Sequence, residues 1–283
     1  MPVFPLVDAH LHLWDPARLH YAWLGGEPAL NRPFLPADFR RAAGAVAVAK
    51  MIFVQCDCAP AQAADEVEWV SRLADQDPRL RGLVAFVPLE EGERVEPVMA
   101  RLAANPRVKG VRRLLQSEAD PRFCLRPGFV AGVRGLARFG LTFDVCIRHP
   151  QLAGVIELVR QCPDVSFVLD HLGKPDVRSG LVDPWREELR ALAALPNVTC
   201  KLSGLVTEAD HGAWTPAQLQ PYLDHALACF GPDRLMFGGD WPVSTLATDY
   251  PRWVRVLDAA LAGCTPDERH RIYVRNAERV YRI

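Results

Sequence analysis

Two histidines one residue apart, His10 and His12, end the apolar run VDAHLH near the N-terminus. Residues two apart in a strand share a face. Both imidazoles therefore point the same way and can share one divalent metal ion. A later run, Leu141–Ile147, leads into Arg148 and His149. His149 either completes a three-histidine metal site or caps the end of a strand. The string Val168-Leu169-Asp170-His171-Leu172-Gly173-Lys174-Pro175 gathers a carboxylate, an imidazole and an amine, a set that is costly to bury unless its members pair. In Met236-Phe237-Gly238-Gly239-Asp240-Trp241-Pro242, two glycines let the backbone approach a ligand closely. Asp240 then stands where a metal, or a water awaiting deprotonation, would sit.

Other polar residues end apolar runs in the same way: Gln55 and Asp57, Arg112 and Arg113, Lys201 and Ser203. Strand alternation turns only one of Arg112 and Arg113 inward, and an inward Arg suits a carboxylate or a developing oxyanion. Trp14, Gln55, Asp57, Arg112, Arg113, Lys174, Lys201 and Trp241 form the expected substrate-binding set, a lining suited to a small, oxygen-rich molecule. The stretch 13–35 carries Trp14, His20, Tyr21 and Trp23. It reads either as a lid over the mouth whose aromatics stack on a ligand face or as a small satellite core.

Eight apolar runs read as the strands that position these residues: Pro5–His10, Met51–Asp57, Gly82–Leu89, Val108–Leu114, Leu141–Ile147, Val165–Asp170, Val198–Ser203 and Leu235–Asp240. Most are continuous rather than alternating, as parallel strands under helices are. Between them lie helical stripes, among them Ala61–Asp75, Pro150–Gln161, Thr215–Phe230 and a closing helix Thr265–Tyr281. Asp183-Pro184, Thr215-Pro216 and Thr265-Pro266 read as a cap followed by Pro at the first helical position. No GxGxxG or GxxxxGK[ST] follows the first strand, which argues against a nucleotide-binding open sheet. Polar residues at the ends of many different strands are how a closed barrel builds a site. The fold expected is α/β, a single (β/α)8 TIM barrel spanning all 283 residues, since such a barrel takes about 250 residues as one domain.

Composition narrows the function. With 33 basic and 34 acidic residues and no basic run, nothing suggests a nucleic-acid partner. No secretory leader and no membrane span are evident. The eight cysteines are scattered, with one Cys56/Cys58 CxC pair, and read as reduced, mostly buried thiols of a cytoplasmic protein. Self-association into a homo-oligomer is left open.

The strings VDAHLHLWD, FVLDHLGKP and MFGGDWPV and the ending NAERVYRI resemble the amidohydrolase superfamily over essentially the whole chain. The branch they resemble contains sugar-lactone hydrolases such as L-fuconolactonase and L-rhamnonolactonase. The resemblance implies one divalent ion, often zinc, on His10, His12, His149 and Asp240, with Asp240 also the general base and His171 assisting catalysis. Binuclear members carry a carboxylated Lys at the end of strand four. Here Lys109 stands at the wrong end of that strand and Arg112/Arg113 hold the mouth, so at most one metal is expected. Some lactonases of the superfamily work without metal, so its necessity stays open. The reaction implied is attack of Asp240-activated water on the carbonyl of a sugar lactone, with His171 binding the carbonyl oxygen or steering Asp240. Two rivals are a metal-dependent decarboxylase of aromatic or muconate-type acids, also housed in the superfamily, and a non-catalytic barrel that binds sugar or metal.

Overall fold

The computed structural model describes residues 2–283. Eight parallel strands follow chain order around one sheet: β1 (Leu6–Leu11), β2 (Val48–Val54), β3 (Leu80–Ala85), β4 (Val108–Arg112), β5 (Thr142–Val145), β6 (Phe167–Leu169), β7 (Val198–Leu202) and β8 (Leu235–Phe237). The sheet closes between its ends. Leu11 bridges Trp241, and the Asp240 N–H donates to the His10 carbonyl at 2.8 Å. Each strand is followed by a helix that returns the chain to the start of the next: α1 (Pro36–Ala43), α2 (Ala63–Gln76), α3 (Glu96–Ala104), α4 (Pro127–Arg138), α5 (Leu152–Gln161), α6 (Trp185–Ala193), α7 (Pro216–Phe230) and α8 (Tyr250–Ala260). This is the expected (β/α)8 barrel.

Two apolar layers hold it. Leu83, Val111, Phe143, Phe167, Leu202 and Phe237 face out and pack with the helices in the larger core. Val7, Ile52, Val54, Val84, Val168 and Met236 fill the interior with Tyr281 from the C-terminal helix. Interior positions near the strand C-terminal ends carry charge instead, which is what makes that end the functional one.

The strands stop earlier than the apolar runs suggest: β5 at Val145, β6 at Leu169 and β8 at Phe237. The residues beyond leave the ladder and turn into the mouth. The closing helix is not continuous either. It runs as α9 (Pro266–His270), a π turn over Arg271–Arg275 and α10 (Asn276–Tyr281). Thr215 and Thr265 occupy the N-cap positions of their helices as expected, and the Thr265 hydroxyl also accepts from the Glu268 N–H. Asp183 does not: α6 starts at Trp185 with no side-chain cap, because Pro184 occupies the cap position. The cysteines are free thiols, and Cys56, Cys58, Cys124, Cys146, Cys162 and Cys200 are buried. Among the described residues no helix is long and apolar enough to cross a membrane.

Candidate active site

A bulge in β1 sets up the site. Asp8 points outward, accepting from the Tyr250 hydroxyl at 2.9 Å and the Gly239 N–H at 2.8 Å. The register with β2 slips between Asp8 and Leu11, and His10 and His12 then both face the mouth. Bulges commonly re-aim side chains beside active sites. Gly239 is required here, because a Cβ on it would lie 2.5 Å from Asp8 Oδ2 and 2.3 Å from the Tyr250 ring.

His10 Nε2 and His12 Nε2 lie 3.1 Å apart. Asp240 Oδ1 is 3.7 Å from the first and 3.5 Å from the second. Both rings are oriented from behind. His12 Nδ1 is 2.8 Å from the Val54 carbonyl, and His10 Nδ1 is 3.2 Å from Asp170 Oδ1. With Nδ1–H donating to the Val54 carbonyl, His12 is free to offer its Nε2 lone pair to an ion shared with Asp240, the arrangement that carbonyls impose on metal-binding histidines, while His10 Nδ1 sits between Asp170 and Lys201 Nζ, the latter at 3.3 Å. An ion with bonds of about 2.0–2.2 Å to nitrogen and oxygen suits this spacing. His10, His12 and Asp240 therefore fit a single divalent ion.

A second trio, His10, Asp170 and His171, also lies close together, but cations already occupy its carboxylate. Lys201 Nζ is 3.0 Å from Asp170 Oδ1 and 2.6 Å from Asp144 Oδ2, and Arg112 Nη1 is 3.2 Å from Asp170 Oδ2. Lys201, Asp144 and Asp170 have no exposed surface at all. Burial alone would push the Asp170 carboxyl up, but Lys201, His10 and Arg112 hold it well below the usual carboxylate range.

Asp240 behaves the same way. Burial works against its charge, yet the imidazoles of His171, His12 and His10 keep the carboxyl far below its ordinary value. It is an ionised base. Burial pushes the His171 imidazole down to about 4, so it is neutral near pH 7. Its Nε2 lies 4.0 Å from Asp240 Oδ1 and its Nδ1 2.8 Å from Ser203 Oγ.

These groups floor a cavity of about 310 Å³ at the mouth. Trp14, Trp23, Leu30 and Leu246 make one wall, and Arg148, Lys174, Thr207 and Glu208 the other. The stretch after β1 is thus both wall and satellite core. Trp14 and Trp23 line the cavity, Tyr21 is buried and His20 is exposed.

Of the expected substrate-binding residues, Trp14, Asp57, Arg112 and Lys174 line the cavity. Four do not. Arg113 turns away and pairs with Glu90 at 3.0 Å and Glu118 at 2.7 Å, as alternation requires of one of the two arginines. Gln55 is buried beneath the cavity, where its carbonyl accepts from Arg112 Nη2. Lys201 lies under the floor, in the ion cluster. Trp241 packs edge-on against Phe34 and Phe39.

His149 is also misplaced by the sequence reading. Asp144 points into the barrel, Cys146 and Arg148 line the cavity above it, and His149 has the opposite parity. It opens a 3-10 turn (His149–Gln151), with its N–H on the Lys174 carbonyl at 3.3 Å. It is not part of the trio that fits an ion.

Sequence reasoning missed Asp144, Cys146, Arg148 and Glu208. Asp144 was available from parity along β5, whereas Cys146 and Arg148 lie past the strand end at Val145. Glu208 sits in a 3-10 turn after β7, 3.5 Å from Lys174 and 3.6 Å from Arg148, and no local pattern marks it. Backbone strain marks the site independently. Asp57, His171, Leu172, Lys174 and Asp240 are all non-glycine residues with φ between 49° and 56°. Each such residue costs on the order of 1–3 kcal/mol, and they cluster where function requires them.

Glu66 on α2 is fully buried next to the site, accepting from the Cys56 N–H at 3.2 Å. Burial pushes its carboxyl up to about 7 from an ordinary 4.5. A folded-state value above the unfolded one means the stabilising contribution is complete below pH 4.5 and is lost as pH rises toward 7. At 1.36 kcal/mol per unit this is worth about 3 kcal/mol. Glu66→Gln is therefore expected to unfold at higher denaturant concentration than wild type at pH 8, with the advantage vanishing near pH 4.5. An equal difference at both pH values would show that Glu66 is not the titrating group.

The strand-end histidines, the strand-eight aspartate and the barrel together define a metal-type hydrolase site. The amidohydrolase family model matches residues 7–283. The chain belongs to that family and is a hydrolase. It is 34% identical to an L-fucono-1,5-lactonase of Burkholderia multivorans, over 98% of this chain and 96% of that protein. It is 31% identical to an L-fucono-1,5-lactonase of Burkholderia ambifaria, over 98% and 95%. Among solved structures, an amidohydrolase from Burkholderia multivorans with bound zinc superposes with a TM-score of 0.86 at 34% identity, covering 99% of this chain and all of that one.

Proposed function

We propose that the protein opens the cyclic ester of a sugar lactone, an aldonolactone such as L-fuconolactone or L-rhamnonolactone. The observation that carries this reading is Asp240, an ionised carboxylate within 4.0 Å of three imidazoles on the floor of a cavity of about 310 Å³. Lactonase relatives at 34% and 31% identity over nearly the whole chain support it.

Asp240 takes a proton from water as that oxygen bonds to the lactone carbonyl carbon. Negative charge moves onto the carbonyl oxygen. His171, as a neutral imidazole, donates to it from Nε2. Arg112 lines the same floor, and its fixed positive charge favours the developing oxyanion. Collapse breaks the bond to the ring oxygen, and the protonated Asp240 returns its proton to that leaving oxygen. The product is an aldonate. A divalent ion held by His10, His12 and Asp240, zinc by the precedent of the zinc-bound structure, would supply Lewis-acid polarisation of the ester.

The polar wall of Arg148, Lys174, Thr207 and Glu208 reads ring hydroxyls, and the half-buried Trp23 and Leu246 take the apolar face of the sugar, with Trp14 packed behind Trp23. A site built to hydrogen-bond hydroxyls rejects analogues that lack them. Five- or six-membered aldonolactones are expected to exceed γ-butyrolactone and δ-valerolactone by more than about a hundredfold in kcat/KM. Equal rates on the bare lactones would remove the hydroxyl-reading role of that wall.

A further inference from the structure

We propose that Ser203 and Gly204 form a two-residue seat that fixes the His171 imidazole with its proton on Nε2, facing Asp240 and the substrate. The inference deepens the lactonase reading and rests on it for its rate measurement.

His171 needs such a seat because its backbone does not aim it. The chain has left β6, and both His171 (φ 54°) and Leu172 (φ 55°) are left-handed. Outside a strand no pleat fixes the direction of the side chain. Two contacts from the end of β7 do so instead. Ser203 Oγ lies 2.8 Å from His171 Nδ1. Gly204 lies under the ring: a Cβ there would stand 2.3 Å from Nδ1 and 2.6 Å from Cγ, and Gly204 is itself left-handed at φ +59°. No other residue leaves the ring its place. Ser203 is equally confined. It has no exposed surface, and a Cβ on Gly238 would come within 2.9 Å of its own Cβ.

A hydroxyl can donate to an imidazole nitrogen or accept from it. The far side of the ring decides between them. Nε2 lies 4.0 Å from the Asp240 carboxylate, an acceptor-only group, which favours a proton on Nε2. Ser203 O–H then donates to the Nδ1 lone pair, and both ends of the ring are satisfied. The opposite tautomer would set a lone pair against a carboxylate. The seated ring presents an N–H to the carbonyl oxygen of the substrate. The other tautomer presents only a lone pair and gives the oxyanion nothing. Ser203 is thus a positioning residue, acting through His171.

The experiment uses the full chain, labelled with [15N]histidine. There are eight histidines, and the His171 signals are identified by their loss in His171→Asn. Wild type is expected to show His171 with a protonated Nε2 and an unprotonated Nδ1. Ser203→Ala is expected to give mixed tautomers, a kcat lower by about ten- to hundredfold, as for other supporting partners of site histidines, and a KM within about twofold. A proton on Nδ1 in wild type overturns the proposal, and that result does not depend on whether the variant folds. So does a Ser203→Ala protein with unchanged tautomer or unchanged kcat. If wild type opens no lactone but carries Nε2–H, the lactonase reading fails and the seat stands on the resonance data.

Discussion

Asp240→Asn is expected to lower kcat for lactone opening by at least about a hundredfold while leaving the unfolding midpoint close to that of wild type. General acid–base catalysis contributes roughly 10²–10⁴-fold, and Asp240 serves twice in the proposed cycle, once taking a proton and once returning it. The amide keeps the shape but has no basicity. Asn also tolerates the left-handed backbone (φ 52°) at this position, and the Asp240 N–H bond to the His10 carbonyl at 2.8 Å is unaffected. The loss should fall on kcat and kcat/KM alike, the sign of an interaction made only in the transition state. A variant with near-wild-type kcat would end the role of Asp240 as base.

The second large effect is on stability. Lys201 is buried against two carboxylates, Asp144 at 2.6 Å and Asp170 at 3.0 Å. Replacing a whole buried ion cluster with apolar groups is often neutral, but removing one partner leaves uncompensated charge and costs about 3–5 kcal/mol. Lys201→Met keeps the volume and leaves two buried carboxylates with one cation fewer. It is expected to destabilise the protein by that amount in denaturant unfolding. Adding Asp144→Asn should recover part of the loss, because the Tyr281 hydroxyl, 2.6 Å from Asp144 Oδ2, can still bond the amide oxygen. A cost below about 1 kcal/mol would mean that Lys201 does not carry the charge balance beneath the site. Activity should fall as well, since Lys201 and Asp170 together orient His10.

How far the site was legible depended on whether strand periodicity applied. The barrel was visible because its strands are buried on both faces and read as unbroken apolar runs, with polar residues just past their ends. His10, His12, Asp240 and His171 stood out as chemistry-bearing types at those ends. His149 did too, but it opens a 3-10 turn past the end of β5, and Cys146 and Arg148 line the cavity wall instead. Arg112 and Arg113 could be divided into one inward and one outward residue, though not told apart. Lys201 was read as a substrate ligand because its partners, Asp144 and Asp170, lie 57 and 31 positions away along the chain. Only the closed barrel shows that it is already paired. Asp8 shares its sequence parity with His10, yet the β1 bulge separates them, and no local pattern announces a bulge.

The account stands or falls on whether this cavity opens esters or releases CO2. The superfamily resemblance allows both, and the two chemistries would use a similar set of histidines and an aspartate. The direct measurement offers the wild-type protein L-fuconolactone and, in parallel, a carboxylated phenol such as 2,6-dihydroxybenzoate, following proton release for the first and CO2 for the second. The account predicts steady proton release from the lactone by the wild type, lower by at least about a hundredfold in Asp240→Asn, and no CO2 from the aromatic acid. CO2 release from the aromatic acid with an inert lactone would contradict it.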